Sequence, residues 1–488
     1  MTGGALLGLV MLIVMIGAIF IGFPISFTLL FLAFAFGYFG LGGHTVFNLA
    51  YFQTIGMMKE ELLAAVPLFI FMGFIVEQAG LMERLFIAFR LLLAPVRGAL
   101  YLVVILTATI FAMATGIVGA AVTVLGIMAS PIMVKTGYDG ALSAGTITAG
   151  GTLGILIPPS VMLIVMGPVL GVSVADLYAA AFGPGFLLAG LYIVYLMVRS
   201  FINPKLGPPV PKEERVHSVG VILKECVVGV LPLVGLIAAT LGSILAGWAT
   251  PTEASGIGAF GAMILAIAYR KATLAGLKRA LLSAMATSSM VLLLATTSNI
   301  FGAVFARLGT ASWITESLLA LPLPPIAMLI MVVFLIFLLG WPFEWPAIIL
   351  VFLPIFYPVV AALKFDLVWF GALVAVTLQT AFLSPPVAMS AYYLKQVVKD
   401  WSLATIYKGM FQFMILQCIA IALLIIFPAI ATAFPEYLQE VARRTPVEQV
   451  PDDAPSLEQD TMESMQEQSE QDSKDAEEGD KPAPAQPK

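Results

Sequence analysis

Apolar stretches of about 20 residues follow one another from residue 5 to residue 433, and each is long enough to cross roughly 30 Å of hydrocarbon as a helix. A solvent of lipid tails offers no hydrogen bonds, so the backbone must satisfy itself, in helices or in closed barrels. Continuous apolar runs, rather than alternating ones, select helices. The chain is 60% hydrophobic and 11% charged, against roughly 25% charged residues in soluble domains, which excludes an ordinary soluble enzyme. Cys226 and Cys418, like His44 and His217, lie far apart in the chain. They offer no disulfide framework, zinc spacing or nucleophile pair, and no catalytic constellation is expected.

The hydropathy pattern predicts ten crossings, near 5–22, 25–42, 60–80, 140–166, 180–202, 221–245, 252–270, 281–302, 366–394 and 406–433. No basic region precedes the first, which reads as a retained span rather than a signal peptide. Two further apolar stretches, 98–131 and 325–360, are interrupted midway by Thr115-Gly116-Ile117-Val118-Gly119 and by Gly340-Trp341-Pro342-Phe343-Glu344-Trp345-Pro346. Arms of about 15 residues reach roughly 22 Å as helix, short of the bilayer core, so each stretch is expected to be a re-entrant hairpin. With this count, 16 Lys and Arg fall on one side of the membrane and three on the other before residue 435. That asymmetry places the basic side in the cytoplasm and both termini outside it. From Pro435 to Lys488 the chain carries 15 acids and five bases, with many Ser, Gln and Pro residues, and this acidic tail is expected to be disordered.

Four landmarks recur at one offset. Pro24 and Pro251, Pro95 and Pro322, Asp139 and Asp366, and the double prolines Pro158-Pro159 and Pro385-Pro386 are each 227 residues apart. The halves, 1–210 and 211–434, hold five crossings each, so the second must run upside down relative to the first. Each pairs a hairpin (98–131; 325–360) with a broken helix (137–167; 366–394). Inverted repeats of this kind place substrate and ion sites near the midplane, at broken helices.

A break at membrane depth leaves carbonyls and amides that protein, water or ligand must satisfy. Glycine permits close approach, and proline frees the carbonyl one turn earlier. Carbonyls with Thr and Ser hydroxyls are hard ligands suited to Na+, and half-helix N-termini suit a carboxylate. Thr115, Gly119, Thr152, Ser160, Glu344 and Ser384 are the candidate substrate contacts. Glu253 is expected to cap a helix. No chain of buried carboxylates or histidines suggests a proton relay, which favours Na+ coupling. Leu81 to Arg90 reads as an amphipathic arm at the interface, with Arg270 to Arg279 as its counterpart, and Trp341, Trp345, Trp369 and Trp401 as interface anchors. Basic loops explained by topology give no reason to expect nucleic-acid binding.

Gly137-Tyr138-Asp139, Gly151-Thr152-Leu153-Gly154-Ile155-Leu156-Ile157-Pro158-Pro159-Ser160 and Pro251-Thr252-Glu253-Ala254 resemble the large membrane (DctM-like) subunit of tripartite ATP-independent periplasmic (TRAP) transporters over about residues 5 to 430. The resemblance implies a Na+-driven, elevator-type importer in the bacterial inner membrane. It also implies two partners: a small four-helix membrane subunit (DctQ-like) and a periplasmic substrate-binding protein (DctP-like) that delivers an organic acid. Na+ ligation would fall around Thr115, Gly116, Gly154 and Pro158, and around Gly340, Thr380, Leu383 and Pro385. The first hairpin tip lacks the Gly-Ser-Ser run frequent in the family. A self-sufficient Na+-coupled carboxylate or anion carrier is the alternative, separated by whether transport needs a binding protein. A non-transporting membrane assembly would show no Na+-dependent flux.

Overall fold

The computed structural model describes residues 3–209, 218–385 and 388–444. Residues Met1–Leu438 form one compact unit; of the second, Gln439–Lys488, the described residues complete the last helix. The helices of the first half are α1 (Gly3–Ile21), α2 (Ile25–Leu41), α3 (Gly43–Met58), α4 (Glu61–Gln78), α5 (Leu81–Leu93), α6 (Ala99–Thr115), α7 (Val118–Lys135), α8 (Gly140–Leu156), α9 (Val161–Leu170) and α10 (Val174–Ile202). In the second half they are α11 (Val219–Leu245), α12 (Pro251–Ala268), α13 (Leu274–Arg307), α14 (Thr310–Leu319), α15 (Pro325–Leu339), α16 (Trp345–Ala362), α17 (Leu367–Leu383), α18 (Met389–Val397), α19 (Leu403–Ile426) and α20 (Ala429–Arg444). Among the described residues there is no strand, and nine helices are long and apolar enough to cross a membrane, or ten if the bent pair α8 and α9 is one span.

The repeat is written in the element boundaries. The helices α8 and α17 start at 140 and 367 and end at 156 and 383; α7 and α16 start at 118 and 345 and end at 135 and 362. Both ends of both pairs keep the 227 offset. The aligned aspartates do the same work, Asp139 Oδ1 accepting from the Leu142 N–H (2.8 Å) and Asp366 Oδ1 from the Trp369 N–H (2.6 Å). Each satisfies an amide that would otherwise be orphaned at a part-buried helix start. Glu253 likewise caps α12, in a reciprocal pair with Thr250.

The two hairpins are α6 with α7 and α15 with α16. Their second arms are 18 residues each, longer than the sequence suggests, because α7 and α16 continue past Pro131 and Pro354. Each hairpin packs on its own half's pre-break helix, α6 and α7 on α8 and α15 on α17. Each also meets the other half's post-break helix, α18 on α7 and α9 on α16. The breaks are thus interlaced at the centre, where α8 is buried from Ala141 to Leu156 and α17 from Trp369 to Leu383. Small residues allow this density: a Cβ on Gly409 of α19 would sit 1.9 Å from the Ala141 carbonyl oxygen of α8. Around this core, α4 packs on α12 and on α13, and α2 also packs on α13. Their outer faces carry exposed Phe27, Phe31, Phe260 and Met285, as contact with lipid requires.

Three sequence expectations are corrected. The segment Arg270–Arg279 is no arm: Leu274 opens the 34-residue α13, roughly 51 Å long. The arm α5, held to α11 through Arg84 and Glu225 (3.9 Å), has its positional counterpart in α14. In the first half the charged Lys59-Glu60-Glu61 separates α3 from α4, whereas the matching uncharged Ala/Ser/Thr/Met stretch 283–290 continues as helix. The helix α3 escapes a hydropathy reading because His44, Asn48 and Gln53 dilute it. Trp369 and Trp401 are buried rather than interfacial, the indole N–H of Trp369 donating to the Leu424 carbonyl (3.1 Å). The tail reading begins too early: helix continues through Pro435 to Arg444, with Phe434, Tyr437 and Leu438 at helical spacing, and the acidic stretch beyond lies outside the described residues.

Candidate functional site

The first half builds its break from two prolines and one glycine. Residue 158 has no N–H, so the Gly154 carbonyl at the end of α8 loses its helical donor; Pro159 does the same to Ile155. The Ser160 hydroxyl takes up the Ile155 carbonyl, and the Tyr178 hydroxyl donates to the Ser160 carbonyl (3.4 Å). Helix resumes at Val161 after a bend of 46°. Against this bend lies the hairpin tip, where Gly116 adopts φ 60°, a left-handed conformation that a side chain resists. A Cβ there would stand 3.8 Å from the Gly154 carbonyl oxygen and 3.7 Å from that of Pro159. The freed carbonyl and the hairpin tip are therefore neighbours.

The second half repeats the contact with other residues. Gly340 faces Ala381, 3.0 Å from its Cβ to a Cβ built on the glycine. Ala381 lies 227 after Gly154, and its carbonyl loses its donor to Pro385. The carbonyl of Thr380 accepts from the Ser384 N–H (2.9 Å), and its hydroxyl donates to the Thr377 carbonyl (2.6 Å). Pro386 lies outside the described residues. Buried hydroxyls without hydrogen bonds occur in the first half too, at Thr107 and Ser143 away from the break, but here they gather around the break itself: both ends of the Gln379 amide and the hydroxyls of Ser384 and Ser390.

A cavity of about 230 Å³ joins the two breaks. From the first half come Gly116 to Gly119 at the hairpin tip, with Ile155 and Val161 either side of the bend. The second half supplies Glu344, Trp345 and Pro346 at its tip, with Phe382, Met389 and Tyr393 around its break. Ile70 of α4 and Thr287, Met290 and Val291 of α13 close the remaining wall. The first residues of four helices, α7, α9, α16 and α18, thus border one space. Each helix start presents free N–H groups and a partial positive charge. Among the described lining residues none is basic and one, Glu344, is acidic.

Of the residues singled out from sequence, Gly116, Gly119 and Glu344 line this cavity. Gly154 and Pro158 lie behind the first tip. Gly340, Thr380, Leu383, Ser384 and Pro385 belong to the second tip and break, Pro385 being exposed there. The hydroxyls of Thr115, Thr152 and Ser160 are buried and engaged, donating to the carbonyls of Phe111 (3.2 Å), Ala149 (2.8 Å) and Ile155. As substrate contacts these three are not placed at the cavity. Ala381 was legible, through the repeat offset from Gly154. Tyr393, Phe382 and Trp345 were not, since an aromatic residue near a break looks like core or interface until the fold turns it inward.

A polytopic helical bundle in which two hairpin tips and two broken helices meet at a small cavity is the architecture of a membrane permease rather than of an enzyme. The family model described as "Tripartite ATP-independent periplasmic transporter, DctM component" matches residues 10–430, and the chain belongs to that family. It is 30% identical over 427 residues to the sialic acid TRAP transporter large permease protein SiaM of Vibrio cholerae, covering 86% of this chain and 96% of that one. It is also 30% identical over 383 residues to the C4-dicarboxylate TRAP transporter large permease protein DctM of Pseudomonas aeruginosa, covering 77% and 86%. Among solved structures, the YdaH transporter of Alcanivorax borkumensis shares the fold with a TM-score of 0.58 at 15% identity, over 81% of this chain and 90% of that one.

Proposed function

We propose that this large permease subunit imports an organic acid across the bacterial inner membrane, with both termini in the periplasm, driven by Na+. A periplasmic substrate-binding protein hands over the acid, and a small four-helix membrane subunit accompanies the chain. The observation that carries the reading is the cavity bordered by four helix starts with no basic side chain among its described lining residues. A carboxylate there would be held by backbone amides and helix ends. For Na+ the donor chemistry fits: the carbonyls of Gly154 and Ala381 have lost their helical donors to Pro158 and Pro385, the first lying near Gly116, while Gly340 packs on the Cα and Cβ of Ala381. The Na+ sites would then involve Thr115, Gly116, Gly154 and Pro158 in one half and Gly340, Thr380, Leu383 and Pro385 in the other. A bound cation would add positive charge beside the carboxylate and so couple the two.

The cavity has walls of two kinds. Hairpins and broken helices supply most of it, and α4 and α13 supply the rest. An elevator motion would carry the former past the latter, exposing the site on alternate sides. The test is uptake into proteoliposomes containing this chain and its small partner, with and without an inward Na+ gradient and an acid-loaded binding protein. Uptake that needs both supports the reading. Robust uptake without any binding protein would instead make the chain a self-sufficient carrier, and uptake indifferent to Na+ would remove the ion coupling.

A further inference from the structure

Beyond its helix starts, the cavity is almost wholly apolar. The wall facing the first tip is aromatic, with Trp345 and Tyr393, and Phe382, Met290 and Met389 complete it. The Tyr393 ring lies 3.1 Å from a Cβ built on Gly119, so the ring packs directly on the hairpin backbone and the two form one continuous wall of the cavity. The polar side chains at the lining are Thr287, Glu344 and Tyr393. We infer that the solute is a monocarboxylate with an apolar, preferably aromatic, body about one ring in size. The inference rests on the transport reading above and narrows its substrate class.

Three features of the lining select that class. First, the volume of about 230 Å³ falls below the roughly 300–1,000 Å³ usual for drug-sized ligands, so the body must be small. Second, a polyhydroxylated body would bury hydroxyls against Ile70, Val161, Met290 and Phe382, where they would lack partners. Third, Glu344 shares the cavity with any carboxylate bound there, and its like-charge cost in a poorly solvated space falls twice on a dicarboxylate and once on a monoacid. An apolar ring instead stacks or packs edge-on against Trp345 and Tyr393, the arrangement aromatic groups favour. The class departs from those in the names of the two relatives, sialic acid and C4-dicarboxylates.

The experiment is stabilisation of the purified full chain in Na+, measured as melting temperature against concentration of phenylacetate, succinate and gluconate. Phenylacetate should half-saturate at a concentration roughly tenfold or more below either competitor, the scale on which hydrophobic and buried-polar mismatches discriminate. Succinate or gluconate binding as tightly as phenylacetate, or stabilisation by none of the three, would overturn the inference; the transport reading stands or falls separately, on the uptake assay with the binding protein and the small subunit. Glu344→Gln, nearly isosteric, should narrow the preference for phenylacetate over succinate several-fold, whereas Tyr393→Leu should weaken phenylacetate roughly tenfold. An unchanged selectivity ratio in both variants would show that these side chains do not choose the solute.

Discussion

The first hairpin turns in two residues, Gly116 and Ile117, and the second in five, Gly340 to Glu344. Its first arm is two residues shorter, 15 against 17, and starts one residue early against the common offset, so the elements that follow return to it. Within one frame the halves are finished differently. In the first, Thr115, Thr152 and Ser160 hydroxyls are bonded to nearby carbonyls. In the second, Gln379, the repeat partner of Thr152, has no partner at either end of its amide, nor do the hydroxyls of Ser384 and Ser390. The second half also contributes the acid and the three aromatic side chains of the cavity. Duplicated architecture has thus been divided into a closed wall and a wall with unused polar capacity. On the transport reading proposed above, discrimination between ions and between solutes would fall on the second half.

The largest effects should come from filling the tips. Gly116→Leu and Gly340→Leu should each abolish Na+-driven uptake while the protein still inserts and purifies; normal uptake by both would remove the tips from the site. Alanine sharpens the contrast. At Gly340 the backbone is ordinary, and the obstacle is the Ala381 methyl 3.0 Å away. Gly340→Ala should therefore lower uptake, and Ala381→Gly on the same chain should restore it. At Gly116 the obstacle is φ itself, worth about 1 kcal/mol or more for a residue with a Cβ. Gly116→Ala should stay impaired whatever is removed opposite it. Rescue of both by Gly154 or Ala381 replacements would mean that the tips differ less than their backbones indicate.

How much of this was readable follows the same divide. Helices, hairpins and the repeat were visible because lipid forces a length on apolar runs and because Pro158-Pro159, Pro385-Pro386, Asp139 and Asp366 carry fixed backbone roles. The carbonyl at Gly154 was equally visible, being one turn before Pro158. What the sequence hid depends on direction and neighbours. Thr152 and Ser160 looked like free ligands but satisfy carbonyls of their own break. Trp345 looked like an interface anchor until the hairpin turned it into the cavity. The segment 270–279 looked like an arm because its four basic residues outweigh the one local sign, the Thr273 cap, that a 34-residue helix starts at Leu274. Hydroxyl satisfaction and aromatic orientation are tertiary properties, and no periodicity encodes them.

The division between closed and open walls can be tested through Gln379 and Thr152. Removing a buried amide that has no partner relieves a desolvation cost of about 1–3 kcal/mol, so Gln379→Leu should hold or raise the melting temperature in the absence of Na+. If that amide serves the ion, the Na+ concentration for half-maximal uptake should rise by roughly tenfold, the weight of one hydrogen bond to a charged group. Thr152→Val removes a hydroxyl that already donates to Ala149 and should cost about 1 kcal/mol of stability with the Na+ dependence unmoved. Equal Na+ shifts in the two variants would contradict the asymmetry.

The smallest effects should be the symmetric ones. Asp139 and Asp366 are positional equals that accept the amide three residues on, at 2.8 and 2.6 Å, at the starts of α8 and α17. Replacing a capping carboxylate by alanine costs typically about 1 kcal/mol, and the two caps make the same bond, although Asp139 is half-buried with its own N–H donating to the Leu206 carbonyl and Asp366 is exposed. Asp139→Ala and Asp366→Ala should therefore lower the melting temperature by similar amounts, with uptake per folded molecule changed little in either. Both caps lie at the far ends of the broken helices from the cavity, so their loss should loosen the helices without choosing between the halves. A large uptake defect confined to Asp366→Ala would show that the asymmetry extends along the whole of α17 rather than residing at its break.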